Sequence, residues 1–152
     1  MKKVFGFIVV ALVLMSCNNS SNENVDVRDS YVGTYSVKRA GTINMMIGTD
    51  IADSQTVASD TTYTVAKVGT NQLSIGGQTA TLDGTKLTFQ AQSSNVSYSY
   101  YVMEQKITQT GTLSAKSIVI NDVYSGTWNM SFMGISMDGS VSGTVTETCT
   151  KK

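Results

Sequence analysis

Apolar and polar residues alternate with a period of two along most of the chain. Tyr35 and Val37 share one side of a predicted strand, with polar or small residues between them. Trp128, Met130 and Phe132 share one side of another. Such alternation is typical of half-buried β-strands. Because no segment has the 3.6-residue period of an amphipathic helix, the pattern predicts an all-β domain.

Turn-forming residues divide this alternation into about eight to ten predicted strands with short connections. Residues 48–59 are polar and irregular, and they are predicted to form the longest loop. Short connections favour an antiparallel up-and-down β-barrel of about eight strands, since closure removes exposed edges. A β-sandwich is the alternative. The strongest hairpin signals are three dipeptides that end in glycine: Gly76-Gly77, Asp83-Gly84 and Asp138-Gly139.

The start of the chain has the three parts of a secretory signal. A basic start precedes an apolar run from Val4 to Met15, which is too short to span a bilayer because a spanning helix needs about 20 residues. The segment from Leu14 to Cys17 resembles the bacterial lipobox. This resemblance implies that a lipoprotein signal peptidase cuts before Cys17 and that lipid is attached to its thiol. More than one acyl chain gives stable membrane anchoring.

The chain is therefore predicted to have three parts. Residues 1–16 are a lipoprotein signal peptide, residues 17–29 are the lipidated cysteine and a polar, flexible tether, and residues 30–152 are a single β-barrel domain. Asn18 stands where an aspartate would resemble an inner-membrane retention signal. We expect a lipid-anchored protein of the cell envelope at the outer membrane, on either its periplasmic face or its surface face.

Composition removes several classes of function. The chain has no histidine, so Ser–His and Cys–His nucleophile pairs are excluded. The 11 basic and 11 acidic residues balance, and loss of Lys2 and Lys3 on cleavage leaves a net charge of −2. Such a domain has no basic field for nucleic acid. We expect no enzyme activity, no catalytic residues, no cofactor and no metal site.

Three segments of the domain carry a family resemblance. They are Tyr31 to Tyr35, Gly111 to Ile118, and the predicted hairpin that begins at Gly126-Thr127-Trp128 and ends at Thr150. Together with the lipobox they resemble the calycin-like, or lipocalin-like, β-barrel lipoproteins of Gram-negative bacteria. The resemblance covers residues 30–152 and implies a calycin-like barrel. It implies little about function, because this family is largely uncharacterised.

Soft apolar side chains on the predicted interior faces favour a ligand-binding barrel, because methionine adapts to varied apolar ligands. Glu147 shares a face with Val145 and Cys149, so its carboxylate must be paired or meet a ligand if that face points inward. We expect a cavity of roughly several hundred cubic ångströms for a small apolar or amphipathic ligand. The candidate ligand-binding residues are Tyr35, Met45, Phe89, Trp128, Met130, Phe132 and Glu147.

A non-enzymatic structural or interaction protein is the alternative function. Such a protein would have a filled barrel and bind an envelope protein or glycan through the predicted 48–59 loop or the Tyr98–Tyr101 segment. Cys149 is the only thiol left if Cys17 carries lipid, and it is predicted to be a small buried hydrophobe. An intermolecular disulfide is the alternative state of that thiol.

Overall fold

A computed structural model of the protein describes residues 25–98 and 101–152. The predicted signal peptide, Cys17 and the first part of the predicted tether lie outside the described residues, as does Tyr100. The described chain forms a 3₁₀ helix, Val27–Ser30, followed by β-strands. The strands are β1 Gly33–Ile47, β2 Asp50–Val68, β3 Gln72–Ile75, β4 Gln78–Asp83, β5 Lys86–Phe89, β6 Gln92–Tyr98, β7 Tyr101–Leu113, β8 Ser117–Phe132 and β9 Ile135–Lys151.

These strands form a closed antiparallel barrel of eight strands with one extra strand. Hydrogen-bonded neighbours follow the order β5-β4-β3-β2-β1-β9-β8-β7-β6, and pairing of β5 with β7 closes the barrel. Strand β6 pairs only with β7 among the described strands, outside the closed circuit. The predicted all-β up-and-down barrel is confirmed, and the sandwich alternative is not adopted.

Unequal strand lengths divide the barrel into two halves. Strands β3, β4 and β5 have only four to six residues, whereas β1, β2, β7, β8 and β9 have 13 to 19. The short strands complete the circuit at one end, which we call the closed end. Beyond them the long strands continue as a curved sheet that we call the open half. Its two edges are β2, which pairs with β3 only from Val65 onward, and β6.

The closed end is filled by side chains. Residues that alternate along the strands point inward and form one apolar cluster, as expected for a small barrel whose interior is just wide enough for its own side chains. Leu73, Leu87 and Ile118 are completely buried there. The full cluster is Tyr35, Val37, Val65, Leu73, Ile75, Ala80, Leu82, Leu87, Phe89, Leu113, Ile118, Ile120 and Cys149. Because Cys149 is buried, its predicted role as a core hydrophobe is confirmed and an intermolecular disulfide does not fit.

The beginning of the described chain is attached to the closed end. Asp26 accepts hydrogen bonds from the backbone N–H and the guanidinium of Arg28. The same guanidinium donates to the carbonyls of Gly69 and Gln72 at the β2–β3 turn, at 2.9 and 3.3 Å. The last residues of the segment that the sequence assigns to the tether therefore contact the barrel.

Two features of the predicted strand pattern are wrong, and cross-strand pairing explains both. The predicted loop at 48–59 belongs largely to β2, which pairs residue by residue with β1 from Gly33↔Val65 to Ile47↔Asp50. Its polar residues need no loop, because they lie in the open half where little is enclosed. The predicted hairpin at Asp138-Gly139 lies inside β9. Gly139 is required there because a Cβ would lie 2.7 Å from the indole Nε1 of Trp128.

Candidate functional site

A group of polar side chains lies inside the barrel where the closed end meets the open half. We call Arg39, Tyr63, Gln109, Asp122 and Glu147 the polar cluster. They come from five different strands, and each is in phase with inward-facing residues of its own strand. Arg39 is opposite Glu147 in the β1–β9 register, and Gln109 is opposite Asp122 in the β7–β8 register. The strand registers therefore bring these side chains together.

The polar cluster is held by ion pairs and hydrogen bonds. Arg39 Nε lies 2.8 Å from Glu147 Oε1, and Arg39 Nη2 lies 3.6 Å from Asp122 Oδ2. The Tyr63 hydroxyl donates to Glu147 Oε1 at 3.2 Å, and Gln109 Nε2 donates to Asp122 Oδ1 at 3.0 Å. One guanidinium thus faces two carboxylates, which leaves a charge of −1 when both are ionised.

Burial shifts the pKa values of the polar cluster. Loss of solvent around Glu147 raises the pKa of its carboxyl, and the negative charge of Asp122 adds to this, while Arg39 and Tyr63 oppose it. Burial and the nearby charge of Glu147 together raise the pKa of Tyr63 to about 12. Glu147 is 4 % exposed, so the condition set by the sequence pattern is met: the carboxylate points inward and is paired.

A second hollow, which we call the upper cleft, lies in the open half between β1–β2 and β7. Its volume is about 210 Å³. Tyr101 joins two sides of it, because its hydroxyl lies 3.3 Å from the Met103 sulfur and 4.0 Å from the Met45 sulfur. The lining is apolar with three polar residues: Ile43, Met45, Asp53, Gln55, Tyr101, Met103, Gln105 and Val141.

The seven predicted ligand-binding residues are distributed over different parts of the barrel. Met45 lines the upper cleft. Trp128 and Met130 lie on the same inner face, opposite Met103 and Tyr101 in the β7–β8 register. Trp128 is buried, and its indole N–H has no hydrogen-bond partner among the described residues.

The other four predicted residues lie elsewhere. Tyr35 and Phe89 belong to the filled core of the closed end, and the Tyr35 hydroxyl donates to the Tyr31 carbonyl at 2.9 Å. Glu147 belongs to the polar cluster. Phe132 lies at the end of β8 and is 56 % exposed. The expected large internal cavity is therefore replaced by a filled closed end and a smaller cleft above it.

Sequence reasoning missed most of the polar cluster and of the upper cleft. Arg39 follows Tyr35 and Val37 at the same period of two, and Asp122 follows Ile118 and Ile120 in the same way. A charged residue in phase with an apolar face is the signal that could have identified both. Tyr101 and Met103 are also in phase with the inner face of β7, although their segment is apolar on both sides.

Exposed apolar side chains project from the far end of the open half. We call Ile47, Ile51, Phe132, Met133 and Ile135 the apolar tip; all lie at the β1–β2 and β8–β9 turns. Met133 is 86 % exposed and has a φ of 51°, followed by Gly134 at 81°. This turn geometry prefers Asn or Gly at both positions, so a methionine there is unusual.

Comparison of the chain with protein-family models, with curated proteins and with solved structures finds no match. Within residues 25–98 and 101–152, no helix has the length and apolar character needed to cross a bilayer. The same residues contain no group of three or more Cys, Asp or Glu side chains placed to hold a metal ion. The geometry itself defines the class: an antiparallel β-barrel with a filled closed end, a polar cluster and an upper cleft.

Proposed function

We propose that this protein is a lipid-anchored envelope protein of the calycin-like barrel type, which binds a small apolar or amphipathic ligand in the upper cleft. The observation that carries the proposal is the lining of this cleft. Two methionine side chains, an isoleucine, a valine and a tyrosine surround it, while Asp53, Gln55 and Gln105 supply polar groups. A mostly apolar hollow with a few convergent polar groups is the usual form of a small-molecule site.

The volume of the cleft limits how much of the ligand it can enclose. Drug-sized ligands occupy clefts of about 300–1,000 Å³, and this cleft has about 210 Å³. A single ring or a short acyl segment fits this volume. The rest of a larger ligand would extend out of the cleft between the edges formed by β2 and β6. We propose a binding role without catalysis, because the chain has no histidine to serve as a general base.

Native mass spectrometry of the protein purified from its own envelope tests the proposal directly. We expect a discrete added mass that disappears on denaturation and that identifies the chemical class of the ligand. A mass equal to that of the polypeptide and its anchor, in protein that is folded, would count against ligand binding.

A matched pair of variants then assigns the site. Met45 faces the upper cleft, whereas the neighbouring Met46 does not line it. We expect Met45→Lys to lower the affinity for the neutral probe N-phenyl-1-naphthylamine by about tenfold or more, because the ammonium group, opposite Asp53 in the β1–β2 register, replaces an apolar wall of the cleft by a charged pair. Met46→Lys should bind the probe as the unchanged protein does. Equal affinities for the two variants would place the site elsewhere.

The apolar tip favours a second candidate function, an interaction protein of the envelope. Monomeric proteins rarely expose several large apolar side chains together unless a partner covers them. Under this proposal the tip, rather than the predicted 48–59 loop, contacts a partner protein. Crosslinking in intact envelopes through a photoreactive residue at position 135 should then capture one defined partner, and diffuse products would count against it.

A further inference from the structure

Gln109 has a buried acceptor that no described residue satisfies. The side chain is 6 % exposed, and its amide orientation follows from chemistry, because only the NH₂ group can donate to the Asp122 carboxylate. Its Oε1 therefore points away from Asp122 and has no hydrogen-bond partner. Gln78 Oε1 is also buried without a partner. Each buried acceptor without a donor costs about 1–3 kcal/mol, so an occupant that supplies positive charge is favoured.

Both amides line the same small cavity. Its volume is about 20 Å³, and the polar residues around it are Tyr63, Gln78, Gln109 and Glu147. A cavity needs roughly 10–15 Å³ to hold one water-sized particle, so this cavity takes one such particle and nothing larger. The Tyr63 proton is already donated to Glu147, and one of the two Gln109 N–H groups is donated to Asp122. The acceptors left without a partner around the cavity are the amide oxygens of Gln78 and Gln109.

The charge next to the cavity is also unbalanced. Arg39 is the only Lys or Arg that forms an ion pair with Asp122 or Glu147 among the described residues. Two ionised carboxylates and one guanidinium leave one negative charge in the interior. Buried charges in proteins are paired or coordinate cations. A single water would satisfy the two amide oxygens but would leave this charge uncompensated.

We propose that the cavity binds one small monovalent cation, Na⁺ or K⁺, through Gln78 Oε1, Gln109 Oε1 and the Glu147 carboxylate. Hard cations take carboxylate and amide oxygens as ligands. The excess of one negative charge matches a cation of single charge. The site is separate from the upper cleft. This proposal therefore goes beyond the proposed ligand function, and its test does not depend on whether a ligand binds in the cleft.

Cation-dependent stability is the first test. Thermal unfolding of the full chain is measured at about pH 8, well above the ordinary pKa of a carboxyl group, in NaCl, KCl and choline chloride of equal ionic strength. Choline is too large for a 20 Å³ cavity. We expect the midpoint to rise by about 3–8 °C with Na⁺ or K⁺ and to saturate, because a bound cation stabilises only the folded state. Equal midpoints in all three salts would overturn the proposal.

Three variants assign the effect to the cavity. Gln78→Leu removes one ligand without touching the ion pairs of Arg39, and it should raise the Na⁺ concentration at half-saturation about tenfold or more. Glu147→Gln should abolish the dependence. Asp60→Asn is the control, because it removes one carboxylate from an exposed position of β2 and should keep the full response. A Glu147→Gln protein that responds to Na⁺ as the unchanged protein does would contradict the site.

A structural measurement separates a cation from a water. Where K⁺ gives the stabilisation, crystals soaked in a thallium(I) salt should show an anomalous scattering peak within coordination distance of Gln78 and Gln109, because Tl⁺ has nearly the radius of K⁺ and replaces it. Where only Na⁺ gives it, the atom at this position should lie closer to the ligand oxygens than a hydrogen-bonded water does. A water molecule at ordinary hydrogen-bond distances, with no anomalous signal, would overturn the proposal.

Discussion

A carboxylate inside a β-barrel has to be compensated by its neighbours, and Glu147 is compensated by Arg39 on the adjacent strand at 2.8 Å. The compensation is incomplete, because Asp122 shares the same guanidinium. This explains why burial and Asp122 raise the pKa of Glu147 despite its ion pair. Buried pairs of this kind add little net stability, because the desolvation of both charges offsets their attraction. Here they place five strands in register around one guanidinium.

The raised pKa predicts an unusual dependence of stability on pH. A carboxyl whose pKa is higher in the folded state binds a proton more tightly there, so its stabilising contribution is full below about pH 4 and is lost as pH rises through the folded pKa. Glu147→Gln should remove this loss, so the stability of the variant relative to the unchanged protein should rise as pH increases above about 4. Urea unfolding of both proteins at a series of pH values, in choline buffer, measures this difference in the free energy of unfolding.

The comparison between the two proteins isolates Glu147. Arg28 holds the pKa of Asp26 below its usual range, so Asp26 contributes stability that is lost as pH falls, in both proteins alike. The contribution of Asp26 therefore cancels in the difference between their curves, which reports Glu147 together with the groups coupled to it. A difference that does not change with pH would show that Glu147 titrates as it does in the unfolded chain.

At the scale of the strand, glycines decide where the long strands bend. A Cβ on Gly143 would clash with the Thr42 carbonyl oxygen, and one on Gly41 would clash with the carbonyl oxygen of Thr144. Both positions lie in the β1–β9 pair above the polar cluster. Glycine inside a strand commonly marks such a bend in a barrel. Strand β1 therefore continues without interruption through Gly41 to Ile47.

Gly143→Ala should destabilise the protein by about 1–3 kcal/mol, because the added methyl group forces apart two paired backbones. The neighbouring Ser142→Ala is the control: Ser142 is exposed, and its substitution should change the free energy of unfolding by less than about 0.5 kcal/mol. Chemical denaturation of both variants measures these changes in the free energy of unfolding. Similar values for the two would mean that the sheet accepts a side chain at this bend.

The β8–β9 turn carries a residue that its backbone does not favour. Met133→Asn should stabilise the hairpin by about 1 kcal/mol, since asparagine adopts a positive φ more readily. The same change removes an exposed apolar side chain. If the apolar tip is a docking surface, this more stable variant should lose its envelope partner in crosslinking. Unchanged crosslinking with raised stability would remove Met133 from any partner site.

Alternation along the strands predicted the face on which a residue lies, but not its height in the barrel. Tyr35 and Met45 share the inner face of β1, yet one is in the filled core and the other in the upper cleft. Whether an inward-facing residue lies in the filled core or in the open half depends on where the short strands β3 to β5 end. The sequence marks those ends only through Gly76-Gly77 and Asp83-Gly84. The continuous long strands were hidden because their internal glycines resemble turns.

At the scale of the whole molecule, the two ends of the barrel have different roles. The described chain enters at the closed end, where Arg28 binds the β2–β3 turn. Strand β1 then runs the length of the molecule to Ile47, at about 3.3 Å per residue. The upper cleft and the apolar tip therefore lie at the opposite end of the barrel from the point where the described chain begins. A short tether from the closed end would direct them away from the membrane that holds the lipid.

The anchor itself is tested by Cys17→Ser. We expect this variant to leave the membrane fraction, because an acylated thiol is proposed as the attachment. Its β-rich circular dichroism and its unfolding midpoint should be unchanged, since position 17 precedes the residues that form the barrel. Cys149→Ser is the matched control and should stay with the membrane even if it is less stable. Continued membrane association of folded Cys17→Ser would refute lipidation at this residue.

The pairing of β1 with β9 has a consequence for how the chain is made. Tyr35 lies opposite Lys151, so β1 completes its hydrogen bonds only with β9, which follows all the other described strands along the chain. Such long-range pairing forms slowly, because a large loop must close before any contact is gained. A chain whose β9 has not yet emerged from the ribosome therefore keeps one edge of β1 unpaired. If the chain is exported as we propose, the β1–β9 pairing is the step that would delay barrel closure until β9 is available.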